Sequence, residues 1–204
     1  MHLSVFIVAA VVLAMTPGPD TLYVMARSLG QGRGAGLISV LGICTGLLVH
    51  ITTASLGLSA LLMTSAWAYL ILKYIGAAYL VYLGVRAFFS SSRLPLKRLN
   101  RASLKRVFYQ GILSSTLNPK LALFFLAFLP QFVDPSLGHV ALQTMLLGGC
   151  FALIGAVWLT GVACLTSLFG NWLQQHPQFV RSQQRLTGGM MIGLGLHLAI
   201  PEHS

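Results

Sequence analysis

Acid is what this sequence has least of: three Asp and Glu residues stand against 13 Lys and Arg in 204 positions. Charged residues of both signs make up only 8% of the chain and apolar residues 56%. That balance excludes an ordinary water-soluble domain, in which about 25% of residues are charged. No aromatic stacking pattern accompanies the basic residues, which fall between apolar runs, so the formal net charge of +10 does not describe a nucleic-acid surface. It describes the positive cytoplasmic loops of a membrane protein.

Other absences narrow the reading further. Cys44, Cys150 and Cys164 are isolated in apolar segments with no Cys-x-x-Cys pair, which excludes the usual metal and redox motifs and leaves them as small packing residues. No Lys or Arg precedes the first apolar stretch, and no small-x-small cleavage site comes before Pro17. That stretch is expected to be a retained span and not a signal peptide. No span carries a Ser/His pair at one-turn spacing, a carboxylate dyad or a cluster of metal ligands, so neither an intramembrane enzyme nor a metal or other cofactor is expected.

What is present is a series of apolar segments. About 20 residues cross the hydrocarbon of a bilayer, and six spans meet that length, at about 3–25, 36–62, 66–89, 107–130, 140–169 and 178–200. Arg27 and Arg33 flank the first connection. The third, Ser90 to Arg106, carries Arg93, Lys97, Arg98, Arg101, Lys105 and Arg106, and the fifth has Arg181 and Arg185. The second connection is uncharged and the fourth holds only Asp134 and His139. Odd loops are therefore expected inside and even loops outside, with both termini extracytoplasmic.

The basic third loop divides one transmembrane domain, residues 1–204, into residues 1–89 and 107–204. Halves of three spans insert with opposite orientations, the inverted-repeat plan of many secondary transporters. A shift of 100 residues lays Leu13 on Leu113, Thr16 on Thr116, Pro19 on Pro119, Leu29 on Leu129 and Gln31 on Gln131. A shift of 112 lays Lys73 on Arg185, Gly76 on Gly188 and Ala77 on Gly189. The expected fold is all-α: six transmembrane helices, with the first and fourth broken.

The breaks come from proline. Pro17 and Pro19 leave the carbonyls of Leu13 and Met15 without helical donors, and Pro119 does the same to Ser115. Loosened backbone is tolerated at membrane depth only where it is packed in protein or lines a wet cavity. At 1.5 Å per residue, Asp20 lies roughly 12 Å and Pro119 roughly 18 Å from the inner ends of their spans. Both are then close to the midplane.

Asp20 and Lys120, one after each repeat-related proline, occupy equivalent positions with opposite charge. An acid in the first turn of a half-helix is favoured by the helix dipole, whereas a cation there is opposed by it, so Lys120 requires a partner. Asp20 or a substrate carboxylate is expected to serve, with Asn118 orienting either group. The candidate binding set is Asp20, Lys120 and Asn118, with Thr16 and Gly18 of the first break. Asp20 is the only acid inside a span, which favours neutral amino acids over a cargo with two ammonium groups.

His50, near the middle of span two, has the chemistry to exchange protons near neutral pH or to satisfy a helix-helix hydrogen bond. Lys73 in span three either snorkels to the outer interface or joins the pathway, and Arg185 is an expected interface anchor. Gly42 with Gly46, and Gly189 with Gly193, have the spacing of close helix crossings, within one chain or between two copies in a homodimer.

The stretches Thr16-Pro17-Gly18-Pro19-Asp20-Thr21-Leu22, Arg27 to Gly32, Leu117-Asn118-Pro119-Lys120 and Phe124 to Phe132 together resemble the LysE-type amino-acid exporters, most closely their RhtB branch of homoserine, homoserine-lactone and threonine efflux proteins. The resemblance spans essentially the whole chain. It implies a bacterial inner-membrane exporter of neutral amino acids or close derivatives, driven by protons. Related proteins that pass disulfide electrons place cysteines beside these prolines, where this chain has Gly18 and Asn118. A membrane scaffold without transport is the alternative from another class.

Overall fold

The computed structural model describes residues 3–64, 66–89, 100–175 and 177–199. These are helical almost throughout, with no strand among them: α1 (Leu3–Met15), α2 (Pro19–Gln31), α3 (Arg33–Thr64), α4 (Ala66–Phe89), α5 (Leu104–Thr116), α6 (Pro119–Leu123), α7 (Val140–Gln175) and α8 (Pro177–Ala199). Two of the boundaries are the expected proline breaks. α1 stops because Pro17 and Pro19 supply no N–H, and α2 restarts behind extended Gly18 with proline in its first turn. At the second break the Asn118 side chain accepts a hydrogen bond from the Lys120 backbone N–H at 3.0 Å, and Pro119 opens α6. The chain bends by 48° at the first break and by 43° at the second.

α3 and α7 are each long and apolar enough to cross a membrane, and each bent pair passes the same test as one broken span. That makes up to four spans among the described residues; α4 and α8, with 24 and 23 residues, are long enough for a crossing of about 20 but do not pass the same test of length and apolarity together. Outward faces are apolar: Leu146, Leu153 and Val157 along α7 are 66%, 67% and 68% exposed. A continuous apolar exterior of this kind marks a surface made for lipid. Of the basic third loop, Arg93, Lys97 and Arg98 lie outside the described residues, while Arg101, Lys105 and Arg106 are exposed just before and within the first turn of α5.

α3 packs against α5 and α7, and α4 lies along α8. Small residues permit both crossings. A β-carbon on Gly42 would strike the carbonyl of Phe108, and one on Gly46 would sit 2.5 Å from the carbonyl of Ile112, so the expected Gly42–Gly46 contact is made within the chain, against α5. The α8 crossing uses other glycines than the expected pair. Gly188 faces Gly84 and Gly195 faces Ala77, whereas Gly189 and Gly193 meet nothing within 4 Å.

Beyond Leu123 the fourth span does not continue as a plain helix. It widens into a π-helical turn over Phe124–Phe128, then tightens into a 3-10 turn at Leu129–Phe132 around Pro130. This irregular stretch concentrates aromatic rings against α1 and α7: Phe6 meets Phe132 edge-on at 5.3 Å, and Phe124 lies 4.4 Å from Phe151. Phe6, Phe124, Phe128 and Phe151 are all nearly fully buried. They belong to one core cluster with Ala9, Ala10, Leu13 and Leu129, on the α1 side of the proline breaks.

Candidate functional site

The two breaks meet at a partly open cavity, about 440 Å³ when the open space at its mouth is counted, walled by α1, α2, α3, α6 and α7. Its charged members are Asp20 and Lys120; most of the remaining wall is apolar and includes Ile43, Leu47, Leu121, Phe151 and Trp158. An apolar pocket with a few convergent polar groups is the usual form of a small-molecule site. Cys44 also lines it.

The two charges share the cavity but are held by other groups. Asp20, 8% exposed, accepts from the Ser114 hydroxyl at 2.7 Å through Oδ1 and from the Asn118 amide at 2.8 Å through Oδ2. Lys120 Nζ donates to the carbonyls of Leu13 and Thr16, both at 3.0 Å. Among the described residues no direct ion pair joins them, contrary to the sequence expectation that they could pair with each other. The reason lies in the ends of the half-helices. Lys120 starts at the positive end of α6, but its stem carries the ammonium to the carbonyl end of α1, where a cation is favoured. Asp20 sits at the favourable end of α2 and reaches the last turn of α5. Each break therefore places its charged residue on the other break.

All three carbonyls stranded by the prolines find side-chain donors. Leu13 O takes Lys120 Nζ, Met15 O takes the Gln183 amide at 3.0 Å, and Ser115 O takes His50 Nε2 at 3.0 Å in addition to the backbone N–H of Asn118, also at 3.0 Å. A carbonyl only accepts, so His50 carries its proton on Nε2, and its ring stacks on Phe125. Gln183→Leu leaves Met15 O without this donor. The expected loss is about 1–3 kcal/mol, read as a lower thermal midpoint in detergent; an unchanged midpoint would mean that another donor takes over.

The remaining sequence candidates are placed as follows. Asn118, 1% exposed, caps α6 with its oxygen while its amide holds Asp20. Gly18 lies against Lys120, whose Nζ would be 3.4 Å from a β-carbon there. Thr16 contributes its carbonyl, not its hydroxyl, which turns back to Val12 O at 2.8 Å and toward Met191. His50 does not line the cavity. Lys73 lies in α4, but its side chain falls outside the described residues. Arg185 is exposed on α8.

Ser114 and Gln183 were not singled out from sequence. The signal for Gln183 was the polar stripe Gln183, Gln184 and Thr187 on one side of an apolar helix; Ser114 had none beyond lying one turn before Asn118.

A second polar cluster lies further along α2. The sequence places Arg27 beside a loop, but α2 continues to Gln31 and Arg27 is only 4% exposed. Its guanidinium donates to Gln110 Oε1 at 2.6 Å, to Asn100 O at 2.9 Å and to Gln31 Oε1 at 3.3 Å, and lies over the Tyr23 ring. Tyr23 donates to Val107 O at 2.8 Å, and Gln31 exchanges two hydrogen bonds with the backbone of Ala102. α2 and α5 are thereby joined by polar contacts along most of their length.

The sequence model of the LysE type translocator family matches residues 11–202. An uncharacterised membrane protein of Bacillus subtilis, YrhP, is 33% identical over 207 residues, covering 96% of this chain and 98% of its own. An uncharacterised membrane protein of Vibrio cholerae is 32% identical over 200 residues, covering 95% and 94%. A protein of Salmonella typhimurium named as a homoserine/homoserine lactone efflux protein is 29% identical over 200 residues, covering 98% and 96%. No solved structure matches the chain.

Proposed function

The chain belongs to the LysE type translocators, and from that membership we propose that it exports small neutral amino acids or close derivatives, such as threonine, homoserine or homoserine lactone, across the bacterial inner membrane in exchange for protons. The observation that carries the reading is the shared cavity of Asp20 and Lys120, two opposite charges that do not neutralise each other directly. A zwitterion brings the complementary pair. Lys120 has three N–H donors and gives two to carbonyls, so one is left for a cargo carboxylate. The Asp20 carboxylate has about four acceptor sites and uses two, leaving room for an ammonium.

The reciprocal reach of the two breaks also supports the inverted repeat. Asp20 contacts residues 114 and 118 while Lys120 contacts 13 and 16, which is the exchange expected around a pseudo-twofold axis. In this arrangement the broken spans meet at mid-membrane, the basic loops face the cytoplasm and both termini face outward.

The single buried acid among the described residues fits a cargo with one ammonium group. Purified protein in proteoliposomes, assayed by counterflow with labelled amino acids, is expected to move threonine or homoserine and to discriminate against lysine. Efficient lysine movement without threonine or homoserine would overturn the charge argument, and movement of no amino acid would favour the scaffold alternative.

A further inference from the structure

We propose that Arg27 is a second docking point for the cargo carboxylate, set deeper along the α2/α5 seam than the cavity, and that cargo loads along this seam. The inference rests on the export reading above. Arg27 is a buried cation whose acceptors, Tyr23, Gln31, Asn100 and Gln110, are all neutral. These satisfy its hydrogen bonds without balancing its charge, and among the described residues no carboxylate contacts it. Burying a charge is costly unless it is paired. A carboxylate would supply both the charge and a two-pronged fit to the guanidinium, with bonds roughly twice as strong as neutral ones.

The seam leads from Arg27 to the cavity. Asp20 and Arg27 are seven residues apart, about two turns or 10.5 Å along α2 and nearly on the same face. On α5 the order runs in reverse, with Ser114 opposite Asp20 and Gln110 opposite Arg27. Tyr23, midway between them on α2, turns toward Arg27's level of α5, to Val107 O and Gln110, which leaves a single turn of α5 between Gln110 and Ser114. A polar solute can exchange such contacts one by one. The aromatic wall beyond the breaks offers no equivalent series, which sets the direction of loading. The Gln31–Ala102 bonds close the far end and have to open for cargo to reach Arg27.

The test compares homoserine, which has a carboxylate, with homoserine lactone, which has none, using the full chain in inside-out vesicles. Arg27→Gln is expected to raise KM for homoserine about tenfold and to lower the preference for homoserine over the lactone at least fivefold. Arg27→Lys, which keeps the charge but not the fork, should fall between. An equal effect on both cargoes would make Arg27 a structural pin, and no effect on either would remove it from the path; both outcomes overturn the proposal. If Arg27→Gln does not reach the membrane, the same comparison is read from Arg27→Lys. A wild-type protein that moves no amino acid of the panel, threonine included, overturns the export reading, and this site with it, whereas a working wild type with unaltered selectivity in the variants overturns the Arg27 site alone.

Discussion

Lys120→Met should abolish measurable export while leaving protein in the membrane. Removing one partner of a desolvated charge contact costs about 2–5 kcal/mol, or roughly 30- to 4,000-fold at 1.4 kcal/mol per decade. The variant also strands the carbonyls of Leu13 and Thr16, an opposing pair of effects because the buried ammonium is removed at the same time. Asp20→Asn should retain the Ser114 and Asn118 contacts by reorienting the hydroxyl, and should lose export for want of charge. Since neither residue is the other's hydrogen-bond partner, the double variant is expected to be as inactive and no more stable than the worse single one. A recovery of about 3 kcal/mol or more, the scale on which a broken buried pair is relieved, would show that the two form an ion pair in the membrane. Unfolding midpoints in detergent, set beside transport rates in vesicles, separate the two results.

The largest structural effect is expected at Gly42. Its β-carbon position is occupied by the carbonyl of Phe108, a backbone group that cannot turn aside. Gly42→Val should therefore push α3 away from α5, at a cost above the usual overpacking range of about 1–3 kcal/mol, and should lower the yield of folded protein severely. Gly189→Ala is the control, because nothing lies within 4 Å of that site and alanine is favoured over glycine in a helix by about 1 kcal/mol. If the two variants behave alike in a thermal melt, the α3/α5 crossing is looser than its geometry implies.

The features legible in the sequence were those with a local cause. Pro17, Pro19 and Pro119 dictated both breaks, and Gly42 with Gly46 marked a crossing that α5 fills. What could not be read depended on the partner across a contact. The prolines marked Leu13 O as open, but which side chain reaches it depends on how the two breaks are brought together, so Lys120 was matched with the one visible acid instead. Thr16 has a hydroxyl suited to a cavity, yet in a helix that hydroxyl readily returns to the carbonyl four residues back, as it does to Val12 O. Arg27 looked like loop because the boundary of α2 depends on how far Gln31 and Arg27 can be satisfied from α5. Gly189 and Gly188 differ by one residue, which is about 100° around the helix at 3.6 residues per turn. Spacing alone does not set that angle.

The servicing of the first break carries a consequence for the order in which the chain is made. Leu13 O waits for a donor 107 residues later, and Met15 O for one 168 residues later. The first span thus leaves the ribosome with a defect that neither it nor its nearest successors mend, and one of its two stranded carbonyls is met only when the last helix emerges. Ser115 O is different, because His50 is already synthesised when the second break appears. The N-terminal half is therefore the unfinished partner during biogenesis, completed by the half that follows it, and a nascent chain arrested before residue 183 carries an unmended first break.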